Sequence, residues 1–225
     1  MAVASGGLIP GASAEVDPVA FLGPNAEILP VLSSSPNGTV VSSTCGTPIA
    51  FAGGEALEPV DVVLDPGHGG PETGSVGANG LTERTLNLAV ALHARDDLVS
   101  LGYTVALTRD RDLHLPIRQR AAIANALSPR AFVSIHHNGG AVRRSVTPGT
   151  ETFHQVDDPE SARLAGILFE DLHFAFAPYW VSWVDTVHQG ASVRLRDGRT
   201  ETYGVLRLTP DLNSAISEAL YLSNP

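Results

Sequence analysis

VDVVLDPGHGG, residues 60–70, decides how this chain is read. A short apolar run that ends at an acid and a glycine-rich turn has the form of a buried strand reaching the surface at its C-terminal end. The glycines let the backbone turn sharply there, and the turn carries a single imidazole, His68. In open α/β sheets, ligands bind beyond the carboxyl ends of the strands. His68 is therefore either a ligand at such a rim or an ordinary histidine in a glycine turn, and the residues around it have to decide.

Downstream, strand-like and helix-like segments alternate, which implies βαβ units and a mostly parallel sheet. A helix is expected from Thr82 as N-cap, with Glu83 in its first turn and Leu86, Ala89, Val90, His93 and Leu101 roughly at helical spacing. YTVALTR (103–109) reads as a strand, and Pro116 at a helix N1 position opens IRQRAAIANAL. AFVSIHHN (131–138) is a third strand with two histidines, His136 and His137, at its C-terminal end. GTETFH (149–154) is expected to be a strand, followed by Asp158 and Pro159 as N-cap and N1 of a long helix. YGVLRL (203–208) and SAISEALYL (214–222) read as two more strands. The fold class is α/β: a single domain, 58–225, with a mostly parallel central sheet flanked by helices.

Upstream, residues 1–57 are rich in Gly, Pro, Ser and Ala and read as a low-complexity leader or linker, disordered or at most a short hairpin of TVV with PIAFA. MAVASGGLIPGASA ends in the small-residue pattern of a signal cleavage site (Ala12, Ser13, Ala14), but no lysine or arginine precedes Arg84, so a positive n-region is missing. It is either the remnant of a secretion signal or a disordered start.

The composition bounds the function. With 43% hydrophobic residues in 225, the chain can bury one sizeable core. Its net charge of -10, with 14 basic residues that are all arginine, argues against nucleic acid as a partner, because phosphate-backbone affinity rests on basic side chains. The single cysteine, Cys45, excludes an internal disulfide and any cysteine metal cluster. No apolar run reaches the roughly 18 residues of a membrane span.

Four residues form the candidate constellation: His68, Glu83, His136 and Glu218. A catalytic zinc site takes three N or O ligands and leaves one position open, and two histidines with one glutamate are an established set. A fourth residue, a carboxylate, has to move the proton of the attacking water to the leaving nitrogen; Glu218 has that chemistry. Each residue alone also has a plain structural reading. Glu83 in a first turn complements the helix dipole, adjacent strand histidines point to opposite faces, and Glu218 between AIS and ALYL fits an exposed edge strand, since burying it without a partner is costly. The HExxH helix signature, the GxSxG nucleophile elbow and the Lys-Ser/Thr ending of a phosphate loop are all absent.

Taken in order, VVLDPGHGG, Glu83 in GLTERTLNLAVA, FVSIHHN, GTETF, VLR and SEALYLSNP make residues 60–225 resemble the zinc-dependent N-acetylmuramoyl-L-alanine amidases of the amidase-3 type. The resemblance implies a phosphorylase/hydrolase-like α/β domain, one Zn2+, and hydrolysis of the amide between N-acetylmuramic acid and L-alanine in peptidoglycan. It assigns His68, Glu83 and His136 as metal ligands and Glu218 as the catalytic glutamate. His137 is expected behind the ligands or exposed, and Asn138 and Glu151 match further motif positions. The family's proline and VLVE-like run is replaced here by NSAISEALYLSNP, and its final helix has no counterpart before Pro225, so the C-terminus reads as truncated. Peptidoglycan lies outside the membrane, which implies a secreted or cell-envelope protein with the leader as the remnant of a signal. Peptidoglycan or muropeptides are the implied partners, and a monomer is expected. The tryptophans and His188 of PYWVSWVDTVHQGASVRLRDG (178–198) are candidates for a substrate-facing loop. Two other readings keep the fold: a catalytically impaired peptidoglycan-binding or regulatory module, and a zinc amidohydrolase or peptidase with another substrate.

Overall fold

The computed structural model describes residues 17–139, 149–179, 182–183 and 190–222. Five short strands come first: β1 (Ala20–Leu22), β2 (Ile28–Ser35), β3 (Gly38–Ser42), β4 (Pro48–Phe51) and β5 (Glu55–Leu57). They form an antiparallel sheet in the order β4-β3-β2-β1-β5. The hairpin expected of TVV and PIAFA is present as β3 and β4, with Val41 opposite Ile49. The expectation of a leader or linker does not hold for the described part of residues 1–57; Ala12, Ser13 and Ala14 lie outside the described residues. The small sheet is held by burial that a Gly- and Ser-rich sequence hides, for Ala20 and Ile28 belong to the same apolar cluster as the main core.

The α/β part runs β6 (Val62–Pro66), α1 (Glu83–Ser100), β7 (Val105–Leu107), α2 (Ile117–Leu127), β8 (Ala131–Asn138), β9 (Gly149–His154) and α3 (Pro159–Phe176). After a single 3-10 turn come β10 (Ser182–Trp183), β11 (Ala191–Ser192), β12 (Leu195–Arg196), β13 (Thr200–Glu201), α4 (Gly204–Arg207) and β14 (Ser214–Tyr221). The main sheet has the order β10-β9-β14-β8-β6-β7, with β11 also pairing with β9, while β12 and β13 pair with each other. The ladders β7–β6–β8–β14 are parallel, and β9 runs antiparallel to β14. This is a mixed, mostly parallel sheet flanked by helices, a single α/β fold.

Strands buried on both faces carry continuous apolar runs, and their residues alternate between two cores. Val63 and Phe132 enter one cluster with Phe153, Ile216, Ile123, Ala124, Leu127 and Leu206. Leu64 and Val133 enter the other with Ile135, Leu107 and Ala91, joined by Leu98, Leu164 and Leu168. Helices α1 and α3 thus cover one face, and α2, α4 and the small sheet cover the other. Asp158 caps α3 as expected, accepting from the backbone N–H of Glu160 at 2.9 Å and of Ser161 at 3.2 Å.

Three expectations are corrected. YGVLRL is not a strand: Gly204–Arg207 is one helical turn with Val205 and Leu206 both buried, and adjacent inward residues suit a turn rather than a pleat. Pro116 is the N-cap of α2 rather than its first helical residue. In α1 the buried stripe is Glu83, Asn87 and Ala91, whereas Val90 and Leu101 are exposed, so the apolar periodicity had the wrong phase.

Candidate metal centre

The turn after β6 and the C-terminal end of β8 meet the first turn of α1. Glu83 Oε1 lies 3.1 Å from His68 Nε2 and 3.0 Å from His136 Nδ1. One donor atom from each of His68, Glu83 and His136 falls within 4.8 Å of the other two, the only such group among the described residues. The rings of the two histidines pack edge to face with centroids 5.0 Å apart. Glu83 is buried, while the His68 and His136 side chains keep 28% and 23% exposure, so one side of the cluster opens outward. Two imidazoles and a carboxylate converging with an open side is the donor set of a three-ligand zinc site.

Backbone shape makes room for this convergence. An added Cβ on Gly67 would stand 2.1 Å from His136 Cε1, so glycine here lets the turn after β6 bring His68 close to His136 on β8. His68 itself has φ 61°, in the left-handed region that non-glycine residues seldom adopt.

The groups around Glu83 fix its orientation and charge. Ser75 donates its N–H to Oε2 at 2.8 Å. Burial pushes the Glu83 carboxyl up, but His136, His68 and Ser75 outweigh it and hold the group ionised far below the usual range. Asn87 donates through Nδ2 to Gly67 O at 3.2 Å and to Glu83 Oε1 at 3.4 Å. Its Oδ1 accepts from His137 Nδ1 at 2.8 Å. His137 is buried, and burial lowers it to about 4, so its ring is neutral and its Nδ1–H is free to donate. His137 therefore stands behind the candidate ligands and ties β8 to α1.

Glu218 is on neither an edge strand nor an exposed face. Strand β14 lies between β8 and β9, and Glu218 is in register with His136 on one side and Glu151 on the other. Its Oε2 is buried without a hydrogen-bond partner among the described residues. Burial, then the nearby Glu83 and Glu151 carboxylates, push its carboxyl up to about 8. Asn138 donates to Glu151 Oε1 at 2.9 Å, which links the two further motif positions beside Glu218. His68, His136 and Glu218 border one pocket, whose apolar wall includes Leu115, Ile117, Val205 and Tyr203. Trp180 and His188 lie outside the described residues, as does the side chain of Trp183.

Two buried arginines were not anticipated from the sequence. Arg120 pairs with Asp65 at 2.7 Å, and Asp65 also accepts from Thr108 at 2.6 Å and Ser134 at 2.7 Å. The signal was Asp65 itself: a carboxylate inside a buried strand has to find a cation or several donors.

Residues 62–225 match the Amidase_3 family, described as N-acetylmuramoyl-L-alanine amidase. The chain is 35% identical over 230 residues to N-acetylmuramoyl-L-alanine amidase AmiC of Neisseria meningitidis serogroup B, covering 89% of this chain and 54% of that protein. It is 41% identical over 127 residues to protein YqiI of Bacillus subtilis, covering 54% of this chain and 60% of that protein. It thus spans little more than half the length of these relatives. Among solved structures, it superposes with TM-score 0.56 and 31% identity on the catalytic domain of CwlV, an N-acetylmuramoyl-L-alanine amidase of Bacillus (Paenibacillus) polymyxa, covering 75% of this chain and 83% of that one. The chain belongs to the Amidase_3 family of N-acetylmuramoyl-L-alanine amidases.

Proposed function

We propose that the chain is a zinc-dependent peptidoglycan amidase that hydrolyses the amide between N-acetylmuramic acid and L-alanine, with residues 58–225 as its catalytic part. The observation that carries the reading is the convergence of His68, Glu83 and His136 within 4.8 Å, with Glu218 in register beside His136. His68, Glu83 and His136 would hold the ion. When bound by them, Zn2+ would supply Lewis acidity toward the scissile carbonyl and would make the attacking water more acidic.

The remaining work falls to the chain's own groups. Glu218 takes a proton from the attacking water and delivers it to the departing nitrogen. The water oxygen joins the carbonyl carbon and the C–N bond breaks. The products are a muramic acid carboxylate and a stem peptide with a free amine. The Oε2 of Glu218 suits this role, because among the described residues no neighbour competes for its lone pairs. The buried Leu115 and Val205 limit water on that side.

The substrate is peptidoglycan or its soluble muropeptides, so the protein acts outside the cytoplasmic membrane, as a monomer. No helix among the described residues is long and apolar enough to cross a membrane. The deciding experiment is mass spectrometry of muramyl-peptide digests with the wild type and Glu218→Ala. Release of free stem peptide by the wild type alone is the expected result. Binding to insoluble peptidoglycan with no release by either protein would overturn the reading in favour of a binding module. Cleavage of plain peptides at a comparable rate would point to another amidohydrolase.

A further inference from the structure

The turn that carries His68 is held by two buried guanidinium groups. Arg109 and Arg120 are 2% and 4% exposed. Arg120 donates from Nη1 to Pro66 O at 2.7 Å and to Asp65 Oδ1 at 2.7 Å, from Nη2 to His68 O at 2.6 Å, and from Nε to Leu115 O at 3.0 Å. Arg109 donates from Nε to the same Pro66 O at 2.8 Å, and from Nη2 to Gly67 O and to Arg84 O, both at 2.9 Å. Arg84 follows Glu83 directly, so Arg109 joins the turn that bears one candidate ligand to the helical turn that bears another. The backbone carbonyls of residues 66, 67 and 68 all end on these two side chains.

Such an arrangement is costly to build. Two cations are taken out of water close enough to share one carbonyl oxygen, and among the described residues only one buried carboxylate, Asp65, pairs with Arg120. Apolar residues of similar volume commonly stabilise a core at least as well as a buried ion pair. What apolar residues cannot do is hold three consecutive carbonyls in fixed directions around a histidine at φ 61°, a backbone state that costs of order 1–3 kcal/mol unless its surroundings impose it. A planar guanidinium with rigidly oriented donors can.

We propose that Arg109 and Arg120 are positioning residues of the metal centre, fixing the 65–70 turn so that His68 Nε2 faces Glu83 before any ion arrives. The proposal rests on the zinc reading above. It makes the site preorganised: without the two arginines the turn relaxes, and zinc must pay for reordering it. Supporting groups behind metal ligands typically change affinity 10- to 100-fold when removed.

The test is zinc affinity, measured by competition with a chromophoric chelator, together with the visible absorption of the Co2+-substituted protein. Arg120→Lys and Arg109→Lys keep the positive charge and lose the fork. The expected result is a roughly 10-fold or greater loss of zinc affinity in each folded variant, with altered Co2+ bands. Folded variants with wild-type affinity and wild-type bands would overturn the proposal and assign the arginines to stability alone. If both lysine variants fail to fold, Thr108→Val decides: it removes a single hydrogen bond from Asp65, and about a threefold loss of affinity is expected, while an unchanged value overturns the proposal. A wild-type protein that takes up no zinc would instead bring down the metal-centre reading, which separates the two failures.

Discussion

Glu218 sits directly beside His136 across the parallel β8–β14 ladder, so the proposed base and a proposed ligand are fixed to one another by backbone hydrogen bonding rather than by a loop. Glu218→Gln keeps the shape and removes the proton-accepting charge. It should lower turnover about 10^2- to 10^4-fold while leaving zinc content unchanged, as checked by single-turnover product release and metal analysis. Loss of zinc together with activity would place Glu218 in the coordination sphere instead.

Gly67→Ala should disable the site without unfolding the chain. The new methyl meets the His136 ring at 2.1 Å, so the imidazole has to move. A drop of about tenfold or more in zinc affinity is expected, with far-ultraviolet circular dichroism unchanged. Wild-type affinity would show that His136 does not need its present position.

The metal-free protein should become less stable as pH rises from about 6.5 to 8, above the range in which the lowered His137 gives an opposing gain. The folded-state carboxyl of Glu218 is pushed up to about 8, mainly by burial, so the native state binds a proton that the unfolded chain has already lost in this window. That contribution is fully present below the ordinary glutamate range and disappears as pH climbs through the folded value. A melting-temperature series should show a fall of a few degrees, absent in Glu218→Gln. An identical slope in the variant would assign the effect elsewhere.

Asp65→Asn should destabilise strongly. Burial pushes the Asp65 carboxyl up, but Arg120, Thr108 and Ser134 outweigh it and hold the group low. Its stabilisation is therefore present at neutral pH and lost as pH falls through the folded value. Leaving Arg120 buried without its partner is expected to cost about 3–5 kcal/mol, read from urea unfolding at pH 7. A change below about 1 kcal/mol would mean that the backbone carbonyls alone satisfy Arg120.

Much of the site was legible because buried parallel strands announce themselves. The runs VVLD and AFVSIHHN end at or near candidate residues, SAISEALYL carries Glu218 within it, and Asp158-Pro159 marks the start of α3. What was not legible has physical causes. In α1 the stripe facing the core is Glu83, Asn87 and Ala91; it lines a polar centre, so a search for apolar spacing selects the wrong face. YGVLRL alternates plausibly, yet Val205 and Leu206 both turn inward. The strands of residues 20–57 are three to eight residues long, and β1 and β2 pack on α2, a contact far away in sequence. Arg109 and Arg120 resemble surface charges until their acceptors, the carbonyls of the 65–70 turn, are seen. For Glu218, the strand was foreseen but not its central place in the sheet.

The packing of the small sheet on α2 separates two boundaries that are easily taken for one. The Amidase_3 match begins at residue 62, but Ser42 donates to the buried Gln119 of α2 at 2.7 Å, and Gln119 is the immediate neighbour of Arg120. Ile28 and Ala20 share the apolar cluster that contains Ile123 and Leu127. The family domain therefore begins inside a larger packed unit. In a native-state hydrogen-exchange experiment, amides of the small sheet and of α2 should become accessible in the same opening event. A fragment cut at residue 58 would retain every proposed ligand, yet it would leave the helix that bears Arg120 with an apolar face in water.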